Sequence, residues 1–180
     1  MDVETAIRAF ASAGHDPPRE AMRWALDRWE EVARFSDPFS YCTAVGTADT
    51  PGPRYAGPAA VPEAVARGLK AAFGAPADAP LDPFSKHSVW RCMGGQVYAC
   101  TFGANLPCSE KADVSRRPGA VMAAFCRENP GAPSIPAAVT GRATVYQWRC
   151  EGGEPTVVRQ VFRVDDRGYL ADLWYKIVHP

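Results

Sequence analysis

The sequence predicts an α+β domain in which an antiparallel sheet of two hairpin units is covered by packed helices and stapled by disulfide bonds, with a helical arm at the N-terminus. Three observations predict this class: a hexad that occurs twice, six cysteines, and a C-terminal region rich in β-branched and aromatic residues. A chain of 180 residues suffices for one well-buried core with a small appendage, but not for two full domains.

The first 35 residues predict an arm of two short helices. Val3, Ile7 and Phe10 recur at helical spacing before Gly14, and a second apolar stripe follows Asp16-Pro17, a helix N-cap and first helical residue. The segment has no cysteine and an excess of acidic residues. We therefore divide the chain into the arm, 1–35, and a disulfide-stabilised α+β domain, 36–180.

The central part predicts two helices between loops. Residues 36–61 are rich in Pro, Gly, Asp and Thr and predict irregular structure, with Asp37-Pro38 as a turn. Apolar spacing predicts helices over 62–73 and 119–128.

The repeated hexad predicts two hairpins of the same kind. Trp90-Arg91-Cys92-Met93-Gly94-Gly95 is echoed by Trp148-Arg149-Cys150-Glu151-Gly152-Gly153, with five of six positions identical. Each copy is typical of a strand followed by a tight turn whose two glycines adopt the positive φ angles that such turns require. The first hairpin is expected over 87–93 and 96–102.

The last three strands are predicted to form an antiparallel meander. They span about 142–150, 155–164 and 168–177, with turns at Gly152-Gly153 and at 165–168. In this register Arg159 lies opposite Trp174 and diagonal to Asp172, which predicts a stacked and salt-bridged cluster.

The cysteines predict disulfide bonds and no metal. No Cys-x-x-Cys occurs and the three histidines are scattered, which excludes a structural zinc site, a redox pair and haem attachment, so we expect no cofactor. Three disulfides are typical of exported proteins, and we expect a periplasmic or secreted protein whose signal peptide has been removed. Six free thiols would instead indicate the cytoplasm.

Of the 15 possible connectivities, we favour one set. Cys100 and Cys108 would close a local loop, and Cys92 would bond to Cys150 because they occupy equivalent positions on paired hairpins. Cys42 would then bond to Cys126.

Charge and hydropathy exclude two classes of partner. The formal net charge is +0 and no long basic run occurs, which argues against nucleic acid. No apolar stretch approaches the length of a membrane span.

Catalytic signatures are absent from the sequence. His87 and Cys92 fall on opposite faces of one strand, and neither a Gly-x-Ser-x-Gly elbow nor a phosphate-binding glycine loop before a helix occurs. We therefore predict that the protein is not an enzyme. A hydrolase that uses a buried carboxylate, Asp113 or Asp172, is the alternative.

The most polar long loop, 103–117, is the predicted binding site. Its candidate binding residues are Asn105, Lys111, Asp113, Ser115 and Arg116. A disulfide at Cys108 would pre-organise the loop and reduce the entropy lost on binding. We expect a non-catalytic binding module, inhibitor-like or ligand-binding, whose partner is another protein. An accessory subunit of a larger envelope complex, docked through the N-terminal helices, is a further alternative.

The chain resembles a group of small exported cysteine-rich proteins of proteobacteria over about residues 37–178. The likeness is carried by Tyr41-Cys42 with Ala44-Val45-Gly46-Thr47, Tyr55-x-Gly57-Pro58, the span from Trp90 to Cys108, Phe125-Cys126, and Trp148-x-Cys150 onward to Trp174. The resemblance implies export and disulfide bonds, and no activity. A looser architectural similarity, to periplasmic lysozyme inhibitors, transfers no residue.

Overall fold

A computed structural model of the chain describes residues 34–103 and 106–179, so the predicted helical arm lies outside the described residues except for its last two positions. The described residues form helices and antiparallel sheets, which confirms the α+β class. The helices are α1 Pro38–Val45, α2 Glu63–Ala72, α3 Asp82–Lys86, α4 Ala120–Glu128 and α5 Ala137–Thr140. The strands are β1 Ser88–Met93, β2 Gln96–Thr101, β3 Tyr146–Glu151, β4 Glu154–Gln160 and β5 Tyr175–Lys176, and a 3₁₀ turn spans Ala171–Leu173.

Helix α1 lies where irregular structure was predicted, so that prediction is wrong here. The Asp37 carboxylate accepts a hydrogen bond from the Ser40 backbone N–H at 2.7 Å, and Pro38 occupies the first turn of the helix. The helix ends at Gly46, whose φ is 74°. Asp37-Pro38 is therefore a helix start, because the carboxylate satisfies an unpaired backbone N–H and proline has none to satisfy.

The strands form two sheets, and the predicted C-terminal meander is wrong. β1, β2 and β5 make one antiparallel sheet in the order β1-β2-β5, while β3 and β4 pair separately. After β4, the Asp172 carboxylate accepts hydrogen bonds from the Arg163 backbone N–H at 2.7 Å and from its Nε at 2.8 Å, and this turn leads the chain away from β4. Ile177 then packs on α2, where a Cβ at Gly68 would lie 2.4 Å from Ile177 Cγ2. Burial of Ile177 in this core stabilises β5 beside β2.

All six cysteines form disulfide bonds, and one of the three predicted pairings is confirmed. Cys100–Cys108 is present as expected. The pairs Cys92–Cys150 and Cys42–Cys126 are wrong, because the bonds are Cys42–Cys92 and Cys126–Cys150, with Cα–Cα distances of 5.1 and 5.2 Å. The two hairpins lie in different sheets, so the hexad cysteine of each hairpin, Cys92 or Cys150, bonds to the helix that packs on its own hairpin.

The hexad therefore marks a repeated helix–hairpin unit. Unit 1 joins α1 to the β1–β2 hairpin, and unit 2 joins α4 to the β3–β4 hairpin. In unit 1 the Cys92 N–H donates to the carbonyl of Ala48, six residues after Cys42, at 2.9 Å. In unit 2 the Cys150 N–H donates to the carbonyl of Ala132, six residues after Cys126, also at 2.9 Å.

The turn glycines repeat as well. Their φ values are 54° and 76° in the first turn and 61° and 86° in the second, which confirms the predicted geometry. Gly95 donates to the Gly46 carbonyl at 2.7 Å, and Gly153 donates to the Pro130 carbonyl at 3.3 Å. Both acceptors stand four residues after the helix cysteine of their unit, so the two turns dock on their helices in the same way.

Each unit has its own core. Tyr41 and Trp90 of unit 1 are buried together with Val65 and Leu69 of α2, and Met122 and Trp148 of unit 2 are buried with Ile135, which follows α4. A third cluster contains the Cys100–Cys108 bond with Tyr169 and Trp174. Within the described residues, no helix has the length and apolar character that a membrane crossing requires.

We expect the Cys42–Cys92 bond to contribute more to stability than the Cys100–Cys108 bond. Their sequence separations are 50 and 8, and chain entropy then gives about 4 kcal/mol for the longer loop and about 2.5 kcal/mol for the shorter. Urea unfolding of Cys42→Ala/Cys92→Ala should show a loss about 1.5 kcal/mol larger than that of Cys100→Ala/Cys108→Ala. An equal loss, or a larger one for the short loop, would contradict the expectation.

Candidate functional site

A cleft of about 560 Å³ lies between β1 and the loop that follows α1. Its aromatic wall consists of Trp90, Tyr169 and Trp174, and Ala60 and Val61 also line it. The polar residues Asp49, Thr50, Ser85, Lys86, Ser88 and Ser109 also line it. A concave site with an apolar wall and a few polar groups is the usual form of a binding site.

Arg91 holds two rings of the aromatic wall, Tyr169 and Trp174, in place. Its side chain is fully buried, and its guanidinium carbon lies 3.9 Å from the ring centre of Trp174 and 4.5 Å from that of Tyr169. Nη2 donates to the Asp165 carboxylate. Nε and Nη1 are buried with no hydrogen-bond partner among the described residues, so the two ring faces supply the remaining compensation for the cation.

The ion pair keeps Asp165 charged. Burial raises the pKa of the Asp165 carboxyl, but hydrogen bonds from the Tyr169 backbone N–H and from Arg91 outweigh burial and hold this pKa below its ordinary value. The turn that carries Asp165 is thereby fixed to β1.

Asp49 joins three segments at one side of the cleft. Its carboxylate accepts hydrogen bonds from Arg167 Nε at 2.9 Å, Arg167 Nη2 at 3.0 Å and Lys111 Nζ at 3.3 Å. The bonds from Arg167 and Lys111 lower the pKa of Asp49 to about 2. Lys111 Nζ also donates to the Arg167 carbonyl at 2.6 Å and lies 3.5 Å from the centre of the Tyr169 ring.

The predicted binding residues are divided between two places. Lys111 belongs to the Asp49 network, whereas Asp113 and Ser115 line a smaller pocket of about 270 Å³ beside Trp148. Arg116 lies over the Tyr146 ring, 5.1 Å from its centre. Asn105 lies outside the described residues. The loop thus runs from unit 1 to unit 2 instead of bringing these side chains to one spot.

Backbone bonds anchor the loop where it reaches unit 2. The Asp113 N–H donates to the Ala143 carbonyl at 2.7 Å, and the Val145 N–H donates to the Asp113 carbonyl at 3.0 Å. The Cys100–Cys108 bond ties the first half of the loop to β2, so the loop is anchored at two points.

The predicted cluster of Arg159 with Trp174 and Asp172 is wrong. Arg159 Nε donates to Gln147 Oε1 at 3.1 Å, and Asp172 is bound by Arg163. Arg91 is the arginine that stacks on Trp174, and the signal that points to it is the hexad itself. Its counterpart Arg149 is exposed and pairs with Glu151, so the two copies differ in burial at this position.

Neither the cysteines nor His87 supply a reactive group to the cleft. All six cysteines are bonded, so no thiolate is available, and His87 is exposed at the start of the first hairpin. Over 34–103 and 106–179, no three His, Cys, Asp or Glu side chains come together as metal ligands.

Comparisons of the chain with protein-family models, with curated proteins and with solved structures find no match. The resemblance to small exported proteins therefore stays a prediction. The candidate site rests on the geometry of this chain alone.

We expect Arg91→Met to lower the free energy of unfolding by about 3 kcal/mol, because the Asp165 carboxylate, 10% exposed, would lose its cation. Arg149→Met, at the equivalent position of the other hexad, is the matched control and should cost about 0.5 kcal/mol, since its side chain is 47% exposed. Adding Asp165→Asn to Arg91→Met should recover part of the loss. Equal unfolding free energies for the two arginine variants would show that the buried pair does not hold the wall.

We expect acid to weaken the Asp49 network within a defined pH window. The pKa of Asp49 is about 2 in the folded protein against an ordinary value of 3.8, so its stabilisation is complete above the ordinary value and is lost as the pH falls through the folded one. Asp49→Asn should reduce stability at neutral pH by about 1 kcal/mol. Thermal unfolding should show this difference shrinking from about pH 4 towards pH 2. A difference that does not change with pH would rule out the assigned role.

Proposed function

We propose that this chain is an exported, non-catalytic binding module that holds another protein in the cleft, with the stapled 103–117 loop forming one side of the binding surface. The observation that carries the proposal is the aromatic wall of Trp90, Tyr169 and Trp174 beside a few polar groups. Buried aromatic anchors in a well-packed pocket supply much of the binding energy in protein interfaces.

Pre-organisation supports the proposal. Arg91 fixes Tyr169 and Trp174 of the aromatic wall, and the Cys100–Cys108 bond and the Asp49 network fix the adjacent loop. A ligand therefore meets side chains that are already ordered. The free energy that ordering would otherwise cost remains available for binding.

The covalent structure supports the export part of the proposal. Three disulfide bonds are typical of proteins from oxidising environments outside the cytoplasm. Because the bonds tie helix to hairpin and loop to sheet, reduction would loosen the same elements that shape the cleft. A periplasmic or secreted location is therefore consistent with the site.

Support for a non-catalytic role comes from the protonation chemistry near the cleft. The carboxylates of Asp49 and Asp165 are held in ion pairs that lower their pKa, which makes them poor general bases near neutral pH. The sulfur atoms of the site are bonded to each other. These groups suit recognition better than proton transfer.

The test is capture of proteins from the native envelope and culture fluid by the immobilised full chain, quantified by mass spectrometry. Ala60→Arg places a long charged side chain in the cleft. Ala72→Arg is the matched control, because Ala72 is also an exposed alanine but lies on α2, outside the lining of the cleft. We expect the same proteins on wild type and Ala72→Arg, and about tenfold less on Ala60→Arg, as expected when a hot-spot contact is lost. Identical capture by all three would contradict a role for the cleft.

A further inference from the structure

The outer edge of β1 carries backbone groups that point into the cleft. The turn glycines close the hairpin at Met93 and Gln96, and the Phe102 N–H donates to the His87 carbonyl at 2.7 Å at the other end. In an antiparallel pair, alternate residues bond to the partner strand. Arg91 and Val89 therefore bond to β2, whereas Cys92, Trp90 and Ser88 direct their N–H and C=O groups away from it.

Of these three outward residues, only Cys92 has a backbone hydrogen-bond partner outside the sheet among the described residues. The Cys92 N–H and C=O exchange two hydrogen bonds with Ala48, at 2.9 and 3.0 Å. Beyond that point no described backbone group from outside the sheet bonds to Trp90 or Ser88, and both residues line the cleft. An open strand edge is a site at which another extended chain can pair.

Unit 2 shows what occupies the same edge there. The segment after α4 runs along β3, where the Cys150 N–H donates to the Ala132 carbonyl and the Ile135 N–H donates to the Trp148 carbonyl, both at 2.9 Å. The Ile135 side chain is buried in one cluster with Trp148. An extended segment with an aliphatic side chain thus covers the hexad tryptophan.

Unit 1 cannot make the bond that corresponds to the one from the Ile135 N–H to the Trp148 carbonyl. Ile135 stands nine residues after the helix cysteine of its unit, and the residue nine positions after Cys42 is Pro51, which has no N–H to donate to the Trp90 carbonyl. The cleft lies where the equivalent contact would be, with Pro51 in its lining.

We infer that the cleft takes an extended segment of the ligand protein, which pairs with the outer edge of β1 at Ser88 and Trp90. A ligand amide donates to the Trp90 carbonyl as Ile135 donates to Trp148, and an aliphatic ligand side chain packs against the aromatic wall. The inference rests on the proposed binding function and names its mode, addition of a strand to a sheet edge.

The position of the edge favours a single extended segment over a second copy of this chain. Ala59, Ala60 and Val61 line the same cleft as Trp90 and Ser88, so this part of the edge lies within a cleft and not along an open side of the sheet. The unpaired stretch is also short, because Cys92 is already bonded to Ala48 and only Trp90 and Ser88 remain. A short edge inside a cleft suits one extended segment better than the sheet edge of another copy.

The first experiment selects peptide binders from a displayed random library on the full chain, with Ala60→Arg as counter-selection and Ala72→Arg as control. The selected peptide is then N-methylated at one amide at a time. Since strand pairing uses alternate amides, we expect methylation to weaken binding about tenfold at every second position and to change it little between. A period of three to four residues, typical of a bound helix, would overturn the inference.

Hydrogen exchange of the ¹⁵N-labelled full chain provides the second readout. The Trp90 and Ser88 amides should gain protection when the peptide binds, with Ala72→Arg behaving as wild type and Ala60→Arg showing no gain. Protection confined to other residues would overturn the inference. So would concentration-dependent dimerisation in sedimentation velocity that Ala60→Arg abolishes, because a second copy would then cover the edge.

The two proposals fail in different ways. Proteins captured through the cleft, together with no selectable peptide or no alternation in the methylation scan, would leave the binding function standing and remove the strand-addition mode. Capture that does not respond to Ala60→Arg would remove both.

Discussion

The fully buried guanidinium of Arg91 is the constraint on which the arrangement of this chain depends. A cation without solvent must be compensated, and here a carboxylate from the 165–168 turn and the rings of Tyr169 and Trp174 do so. These partners come from the C-terminal segment, so compensation of the Arg91 charge requires that segment to pack against unit 1. The placement of β5 beside β2 and the aromatic wall of the cleft both follow.

The different surroundings of the two hexad arginines support this dependence on the burial of Arg91. The hexad arginine of unit 2, Arg149, stands on the exposed face of its strand and pairs with Glu151 within the same hairpin. It needs nothing from a distant segment, and unit 2 remains a two-stranded sheet with its helix. Two nearly identical sequence motifs thus have different surroundings. The arginine of one is buried against the C-terminal segment, and the arginine of the other is exposed.

Local features were predictable from the sequence where a short stretch sets its own geometry. The Gly-Gly turns and the Cys100–Cys108 loop closure depend on residues that are neighbours in the chain, and both predictions are confirmed. Helix α1 was missed although its signals were present. Asp37-Pro38 serves equally as a turn and as a capped helix start, and only the packing of Tyr41 and Cys42 decides between them.

Non-local features were not predictable in the same way. The pairings Cys42–Cys92 and Cys126–Cys150 require knowing that each hairpin packs on its own helix, which no spacing rule states. The candidate cleft combines Asp49, Trp90 and Trp174, which are far apart in the chain. The polarity of the 103–117 loop is visible in the sequence, yet Lys111 and Arg116 are engaged in contacts within the protein, Lys111 with Asp49 and Arg116 with Tyr146.

The repeated helix–hairpin unit occurs once with its strand edge covered and once with an edge that is partly unpaired among the described residues. In unit 2 the chain covers the edge of β3 with its own segment, and burial of Ile135 against Trp148 stabilises that contact. In unit 1 a proline at the corresponding position removes the donor, and this proline, Pro51, lines the cleft. An exposed edge invites non-specific pairing, which proteins commonly prevent by covering it or by steric obstruction. Here Ala48 already pairs with Cys92, so among the described residues only Trp90 and Ser88 of this edge are left unpaired, and both lie in the cleft. A short edge within a cleft limits non-specific pairing and at the same time favours a single extended segment as the ligand.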